Sequence, residues 1–353
     1  MQKLIIIGAG ISGLSAGYFL KQNGFGDFLI LEAADQIGGR VKTIFHEELP
    51  IEMGPTWLGL KHKALVSLLE VLEVDIFPQF EEGIAQYEMS VSAPVQSFTP
   101  PPNSEPSYRI GGGTSGLIHK LVEKVGHEKI KTGAKVISIS EKGEELILQT
   151  EKGEKFSAAK VIVTIPPQLL VNTVSFAPEI PANTRMLLEN TYTWMSLYTK
   201  VAVVYAAPFW KAKGFSGMAF SQSGPMNELY DHSDVNGKGF ALKGFLSLEQ
   251  HYKEMSKAAR EEAVIRQLVK FFGEEAANYT AYYEMDWSEV PLTSVLGKDM
   301  LPSKHLYGHP LYTHPLFNGK LLLSGTETDA EYGGYMDGAV RAAKFSTDWF
   351  LKK

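Results

Sequence analysis

Cysteine is missing from all 353 residues. Its absence excludes disulfides, thiol chemistry, cysteine-ligated metals and any thioether link to a cofactor. Basic residues are in the minority, 34 Lys and Arg against 40 Asp and Glu, giving a net charge of −6. With no basic arm or aromatic–basic tract, nucleic acid is not an expected partner. Long hydrophobic runs are lacking too. The apolar stretches are strand-sized, and Ala339 to Phe350 is broken by Arg341, Lys344 and Asp348, so no membrane span is expected. The first apolar run follows Met1 too closely for a signal peptide, and a soluble cytoplasmic protein is the expectation. The nine histidines are scattered without a compact ligand pattern, so no metal site is expected. The length leaves room for two domains with real cores.

What is present begins at once. Leu4-Ile5-Ile6-Ile7 runs into Gly8-Ala9-Gly10-Ile11-Ser12-Gly13, and a second apolar run, Phe28-Leu29-Ile30-Leu31, ends on Glu32. Strand, glycine turn, helix (Gly10 to Asn23) and acid-tipped strand make a dinucleotide-binding unit. Gly8 permits the tight turn, and Gly10 removes a side chain where a pyrophosphate must approach. Gly13 lets the helix lie close to the strand. The helix start turns unpaired N–H groups and its positive end toward phosphate. Glu32 is the expected partner of the adenosine ribose hydroxyls. These residues say that a dinucleotide is held, but not which one.

Further along, Gly38-Gly39-Arg40 precedes a helix near Lys61 to Leu72. Phe77 to Ser107, with Pro94, Pro100, Pro101, Pro102 and Pro106, reads as loop, edge structure or a cover. Gly111-Gly112-Gly113 introduces a helix, Ser115 to Val125. Lys135–Ser140 and Glu145–Thr150 read as a hairpin about Lys142-Gly143. Val161 to Ile165, stopped by Pro166-Pro167, reads as a strand in a covered parallel sheet. Leu197–Tyr205 and Phe240–Leu248 are β-rich and flank Gly- and Ser-containing loops. A helix follows from His251 to Phe272, with Ala259, Ala263, Ile265 and Leu268 toward a core. Leu321 to Gly325 is another buried strand, and Asp337 to Trp349 another helix. The chain leaves its nucleotide domain and returns to it. His232, beside Asp231, reads as part of a surface pair in a polar loop.

Four motifs together carry a resemblance: Gly8 to Glu32; Leu31-Glu32-Ala33 through Gly38-Gly39-Arg40-Val41; Glu52-Met53-Gly54-Pro55-Thr56-Trp57; and Ser324-Gly325-Thr326-Glu327-Thr328 with Gly334-Tyr335-Met336-Asp337-Gly338-Ala339-Val340. The combination resembles the flavin-containing amine oxidases, which include monoamine and polyamine oxidases. The resemblance implies FAD, and an α/β fold: a Rossmann-like FAD-binding domain of glutathione-reductase type with an inserted α+β substrate domain on an antiparallel sheet. The FAD domain is expected at 1–76, 109–184 and 284–353, and the substrate domain at 77–108 and 185–283. Cofactor contacts are expected from Gly8, Gly10, Ile11, Ser12, Gly13, Glu32, Ala33, Gly38, Gly39, Arg40, Gly54, Pro55, Thr56, Trp57, Val136, Gly325, Glu327, Tyr335, Met336 and Ala339. Gly39 and Arg40 match the pair beside the pyrophosphate and flavin. Gly325 and Glu327 match the turn touching the ribityl-pyrophosphate, and Val136 matches the adenine-side backbone contact.

Two residues bear on the chemistry. Lys200, set in register by Pro208-Phe209-Trp210, matches the lysine that holds a water against flavin N5. Tyr335 matches one wall of an aromatic cage for the substrate amine. The resemblance implies hydride transfer from a small neutral amine to flavin N5, hydrolysis of the imine, and reoxidation by oxygen giving hydrogen peroxide. Family members with a covalent flavin use a cysteine that falls near Leu296 here, so FAD is expected to be noncovalent. The second cage wall falls near Gly297, which offers no ring unless Tyr307 or another residue substitutes. The short stretch from Phe77 to Tyr108 implies a more open entrance. Two alternatives stay open. One is an FAD oxidase or desaturase of a large apolar substrate, like protoporphyrinogen oxidases and carotenoid desaturases; the other is a non-catalytic FAD-binding partner protein. Either a monomer or a homodimer fits.

Overall fold

A computed structural model of the protein describes residues 2–102, 104–293, 295 and 304–352. The expectations placed on Leu296 and Gly297 lie outside the described residues.

The N-terminal apolar run forms the strand Gln2–Ile7, which pairs in parallel with Phe28–Leu31 on one side and Lys155–Val163 on the other. Ile130–Lys131 extends this sheet beyond Phe28–Leu31, and Leu321–Leu323 pairs with Lys155–Val163. Because successive strand side chains point to opposite faces, the run divides its side chains between two cores. Leu4 and Ile6 join a core with the helices Ile11–Gln22, Thr114–Val125 and Met336–Leu351. Ile5 and Ile7 join another with Leu146 and Leu148 of the hairpin and with Leu170 and Leu188 of the helices Pro167–Thr173 and Ala182–Asn190. All four are buried, each contributing about 1.5–3 kcal/mol. A strand covered on both faces needs no polar alternation, which is why it reads as a continuous apolar run.

The hairpin forms from Val136–Lys142 and Glu145–Thr150, and the latter pairs antiparallel with the first half of Lys155–Val163. That strand starts earlier than its apolar part and ends at Val163, because Pro167 already opens the next helix.

The second large sheet runs in the order Tyr279–Asp286, Thr199–Tyr205, Phe240–Leu246, Met226–Asp231, Phe215–Ser221, Ile84–Glu88, Gln96–Phe98. All neighbours are antiparallel except Phe215–Ser221 with Ile84–Glu88. The proline-containing stretch therefore supplies the last two strands of this sheet, with Gln96–Phe98 at its edge. Val201 and Val203 face a core beneath the helix Lys257–Phe272. Ala202 and Val204 face the opposite way, against Leu49 and Ile51 of the strand Leu49–Glu52.

The helix expected from His251 to Phe272 is two helices, Gln250–Glu254 and Lys257–Phe272. Ser256 caps the second by accepting from the Ala259 N–H at 3.3 Å. Its buried stripe is Val264, Leu268 and Phe271 at i, i+4 and i+7, while Ala259, Ala263 and Ile265 are only half-buried. The long helix starts only at Lys257, after the break at Met255-Ser256.

Candidate active site

A cavity of about 660 Å³ runs from the N-terminal glycine turn to the second sheet. At one end, Gly8 has φ +105°, and the Thr164 hydroxyl donates to the Ile7 carbonyl at 2.8 Å beside it. Gly10 is the residue before the helix Ile11–Gln22 and supplies no side-chain cap, so the first amides remain available to an anion. The Gly38 N–H donates to the Ala9 carbonyl at 2.9 Å, which brings the second glycine turn against the first. Gly38 and Gly39 both have positive φ. The result is a cradle walled by bare backbone.

Glu32 is buried at the tip of its strand, accepting from the Ala9 N–H at 2.7 Å and from the Ala34 N–H at 2.9 Å. Each oxygen keeps a lone pair for an outside donor, which suits a ribose diol. Arg40 lines the cavity and donates to both oxygens of Glu327, at 2.5 and 3.3 Å. Glu327 is fully buried and does not line the cavity; it clamps the guanidinium from behind. Two glycine turns, a ribose-facing carboxylate and a clamped guanidinium fit the adenosine and pyrophosphate of FAD.

At the other end the second sheet presents Lys200. It lies on the Ala202 and Val204 face, 6 % exposed, and its ammonium donates to the Gly54 carbonyl. Phe245 is opposite in the neighbouring strand, its ring 5.1 Å from the ammonium. Burial pushes the Lys200 pKa down to about 8 against the opposing pull of Glu52 and Glu228. Lys243 lies on the same face, fully buried, donating to the Thr56 hydroxyl at 2.6 Å with the Trp57 ring at 5.1 Å. Burial first, then the Lys200 charge, drives the Lys243 pKa well below its ordinary value. Burial conversely raises that of Glu52, whose carboxylate accepts from the Thr114 N–H and Thr43 hydroxyl. Tyr335 lines the same cavity, 45 % exposed, with the His62 ring 5.7 Å away.

Of the residues expected from the sequence, Gly8, Gly10, Ile11, Ser12, Glu32, Ala33, Gly38, Gly39, Arg40, Gly54, Pro55, Thr56, Trp57, Val136, Lys200, Tyr335, Met336 and Ala339 line this cavity. Gly13, Gly325 and Glu327 do not. Gly13 lies in the first turn of the helix Ile11–Gln22, where a Cβ would overlap the Gly8 carbonyl oxygen. Tyr307 donates its hydroxyl to the Tyr192 carbonyl at 2.6 Å and is absent from the cavity wall. His232 is corrected: it is fully buried, not on the surface, and accepts from the Glu52 N–H through Nε2 at 3.1 Å. Its neighbour Asp231 is buried too, accepting from Trp210 Nε1 at 3.0 Å and paired with Lys211 at 3.1 Å. Sequence reasoning missed Lys243, His62 and Trp194. A single lysine inside an apolar strand was the available signal for Lys243. Among the described residues no group of acidic or histidine side chains is placed to hold a metal, and no helix is long and apolar enough to cross a membrane.

Fold and cavity define the class: an α/β protein built to hold a dinucleotide against a second, antiparallel sheet. The profile of the flavin containing amine oxidoreductases matches residues 11–93 and 101–347, and the chain belongs to that family. It is 23% identical to a probable flavin-containing monoamine oxidase A of Dictyostelium discoideum, over 96% of this chain and 95% of that protein. It is 22% identical to the flavin-containing amine oxidase A of Sus scrofa, over 98% and 84%. A wild-type putrescine oxidase solved with putrescine superimposes with a TM-score of 0.87 at 21% identity, covering 100% and 99% of the two chains. The cyclohexylamine oxidase of Brevibacterium oxydans IH-35A gives 0.85 at 20% identity, over 99% and 98%. The architecture is the Rossmann-like FAD-binding fold with an inserted substrate domain, and the protein is an FAD-dependent oxidoreductase of the amine-oxidase type.

Proposed function

We propose that the protein oxidises the C–N bond of a small amine with noncovalently held FAD, and that oxygen takes the electrons. The observation that carries this reading is one cavity with a glycine cradle and Glu32 at one end and Lys200 with Tyr335 at the other. Bound FAD supplies a two-electron acceptor for the C–H bond beside the amine nitrogen and, once reduced, a donor to oxygen.

The protein's own residues do the positioning. Gly8, Gly10, Gly38 and Gly39 admit the pyrophosphate, Arg40 neutralises it, and Glu32 takes the ribose hydroxyls. The Met336–Leu351 helix starts at the cavity wall, where its N-terminal dipole favours negative charge on the ring system. Tyr335 offers an aromatic wall that orients a neutral amine. Lys200, with its pKa near 8, holds a proton at Nζ at neutral pH and is the candidate to assist the step with oxygen. The Gly54 carbonyl fixes it in place.

Anaerobic mixing with primary, secondary and polyamine substrates is expected to bleach the visible flavin band; no bleaching with any of them overturns the reading. Lys200→Met is expected to slow reoxidation by oxygen while FAD stays bound. An unchanged rate removes Lys200 from the mechanism. Acid precipitation is expected to leave the FAD in solution, and flavin pelleting with the protein would refute noncovalent attachment.

A further inference from the structure

At the edge of the cavity an aromatic pair is already in contact with a cation from the protein itself. The Lys304 ammonium lies 4.1 Å from the centroid of the Trp194 ring and 3.7 Å from that of Tyr335. Both rings line the cavity. Gly334 makes this close approach possible: a Cβ there would stand 3.1 Å from Trp194 Cβ and 3.3 Å from Lys304 Cε. Among the described residues no carboxylate forms an ion pair with Lys304; its ammonium meets the two rings and the Tyr335 hydroxyl.

We propose that Lys304 is a specificity-determining residue that reserves the cation-binding faces of Trp194 and Tyr335, so that the site accepts amines bearing one nitrogen and rejects diamines. An aromatic face attracts one cation well. A second ammonium brought to the same rings would meet the like charge of Lys304 in a half-buried setting, which is repulsion acting against a competing ligand. A neutral hydrocarbon tail suffers no such penalty and can pack on the remaining ring edges. The inference rests on the amine-oxidising reading, and it adds which amines are excluded.

The test compares butylamine with 1,4-diaminobutane as anaerobic reductants of the FAD-loaded protein. The wild-type protein should favour the monoamine. Lys304→Met should raise the flavin-reduction rate constant divided by Kd for the diamine by about tenfold or more while moving that of the monoamine by less than about threefold, and Lys304→Arg should keep the wild-type ratio. A diamine-to-monoamine ratio that Lys304→Met leaves unchanged, or a wild-type preference for the diamine, overturns the proposal. Tryptophan fluorescence gives a second reading without turnover. Titration with 1,4-diaminobutane should change the emission of Lys304→Met, and not that of wild type or of Lys304→Met combined with Trp194→Phe. If no amine reduces the flavin, the amine-oxidising reading fails, while the fluorescence titration still decides what Lys304 does at the rings.

Discussion

Two glycines three residues apart should respond to the same substitution in opposite ways. At Gly13 an added Cβ would overlap the Gly8 carbonyl oxygen and stand 3.0 Å from its carbon and 3.4 Å from Ile6 Cγ2. Backbone cannot rotate out of the way, so the helix Ile11–Gln22 must lift off the strand Gln2–Ile7. That movement disturbs Leu4, Ile6 and Leu14, all fully buried. Overpacking of this kind costs about 1–3 kcal/mol and more against rigid backbone, so Gly13→Ala should cost about 3 kcal/mol. At Gly10 the φ is −81°, and a Cβ meets nothing nearer than the Gly38 oxygen at 3.8 Å and Gly39 Cα at 3.9 Å. The fold should lose no more than about 1 kcal/mol, the difference between glycine and alanine before a helix. The new methyl would instead enter the cavity. Both variants should be melted as apoprotein, since bound FAD would add its own stabilisation. Gly13→Ala should lower the apparent Tm by about 4 °C, with Gly10→Ala close to wild type. Flavin per protein, titrated by absorbance, should show affinity at least about tenfold weaker in Gly10→Ala. Equal melting shifts, or full FAD affinity in Gly10→Ala, would refute the assignment of fold packing to one glycine and cofactor approach to the other.

The buried lysine has a pH signature. Its folded pKa of about 8 lies below the unfolded value, so wild type pays a constant penalty below pH 8 and gains about 3 kcal/mol as pH rises toward 10.5. Lys200→Met should lack that gain in denaturant titrations, and parallel stability curves would contradict it. Arg40→Ala leaves the fully buried Glu327 without its partner and should cost about 3–5 kcal/mol. Adding Glu327→Gln should restore part of the loss in urea unfolding, and a double variant no better than the single one rules out the pair as the cause. Trp210→Phe deletes the 3.0 Å bond to buried Asp231 and should lower stability by about 1–3 kcal/mol; an unmoved urea midpoint would show that Lys211 and Ser233 satisfy the carboxylate alone.

What could be read from the chain was whatever depends on near neighbours. The glycine turn, Glu32 and the strands around them are local, and their positions follow from spacing within one strand–helix–strand unit. Lys200 was legible because Pro208-Phe209-Trp210 sets the register of the family strand; alone, a lysine between Thr199 and Val201 reads as facing solvent. Lys243 has no such anchor beside it. Its burial depends on pairing Ala202 with Lys243 across two strands distant in sequence. His232 failed for a related reason. Asp231-His232-Ser233-Asp234 is polar enough to suggest a surface loop, yet Glu52 and Arg109, far away in sequence, close over it. The helix break at Met255-Ser256 was missed because a serine cap inside a charged stretch looks like ordinary helix surface.

The cradle is shared between the two ends of the chain. Gly10 and Ala339 line one cavity, and the Ser12 hydroxyl donates to the carbonyl of Ser324, 312 positions later. Thr347 reaches back to the Ala16 carbonyl at 3.5 Å. The glycine unit is therefore finished only by a segment from far along the chain. The apolar face of its helix is covered in part by Thr114–Val125 and completed by the Met336–Leu351 helix. A fragment stopped short of that helix keeps the glycine signature and loses a wall of the pocket. The wall of the pocket is whole only when both segments are in place.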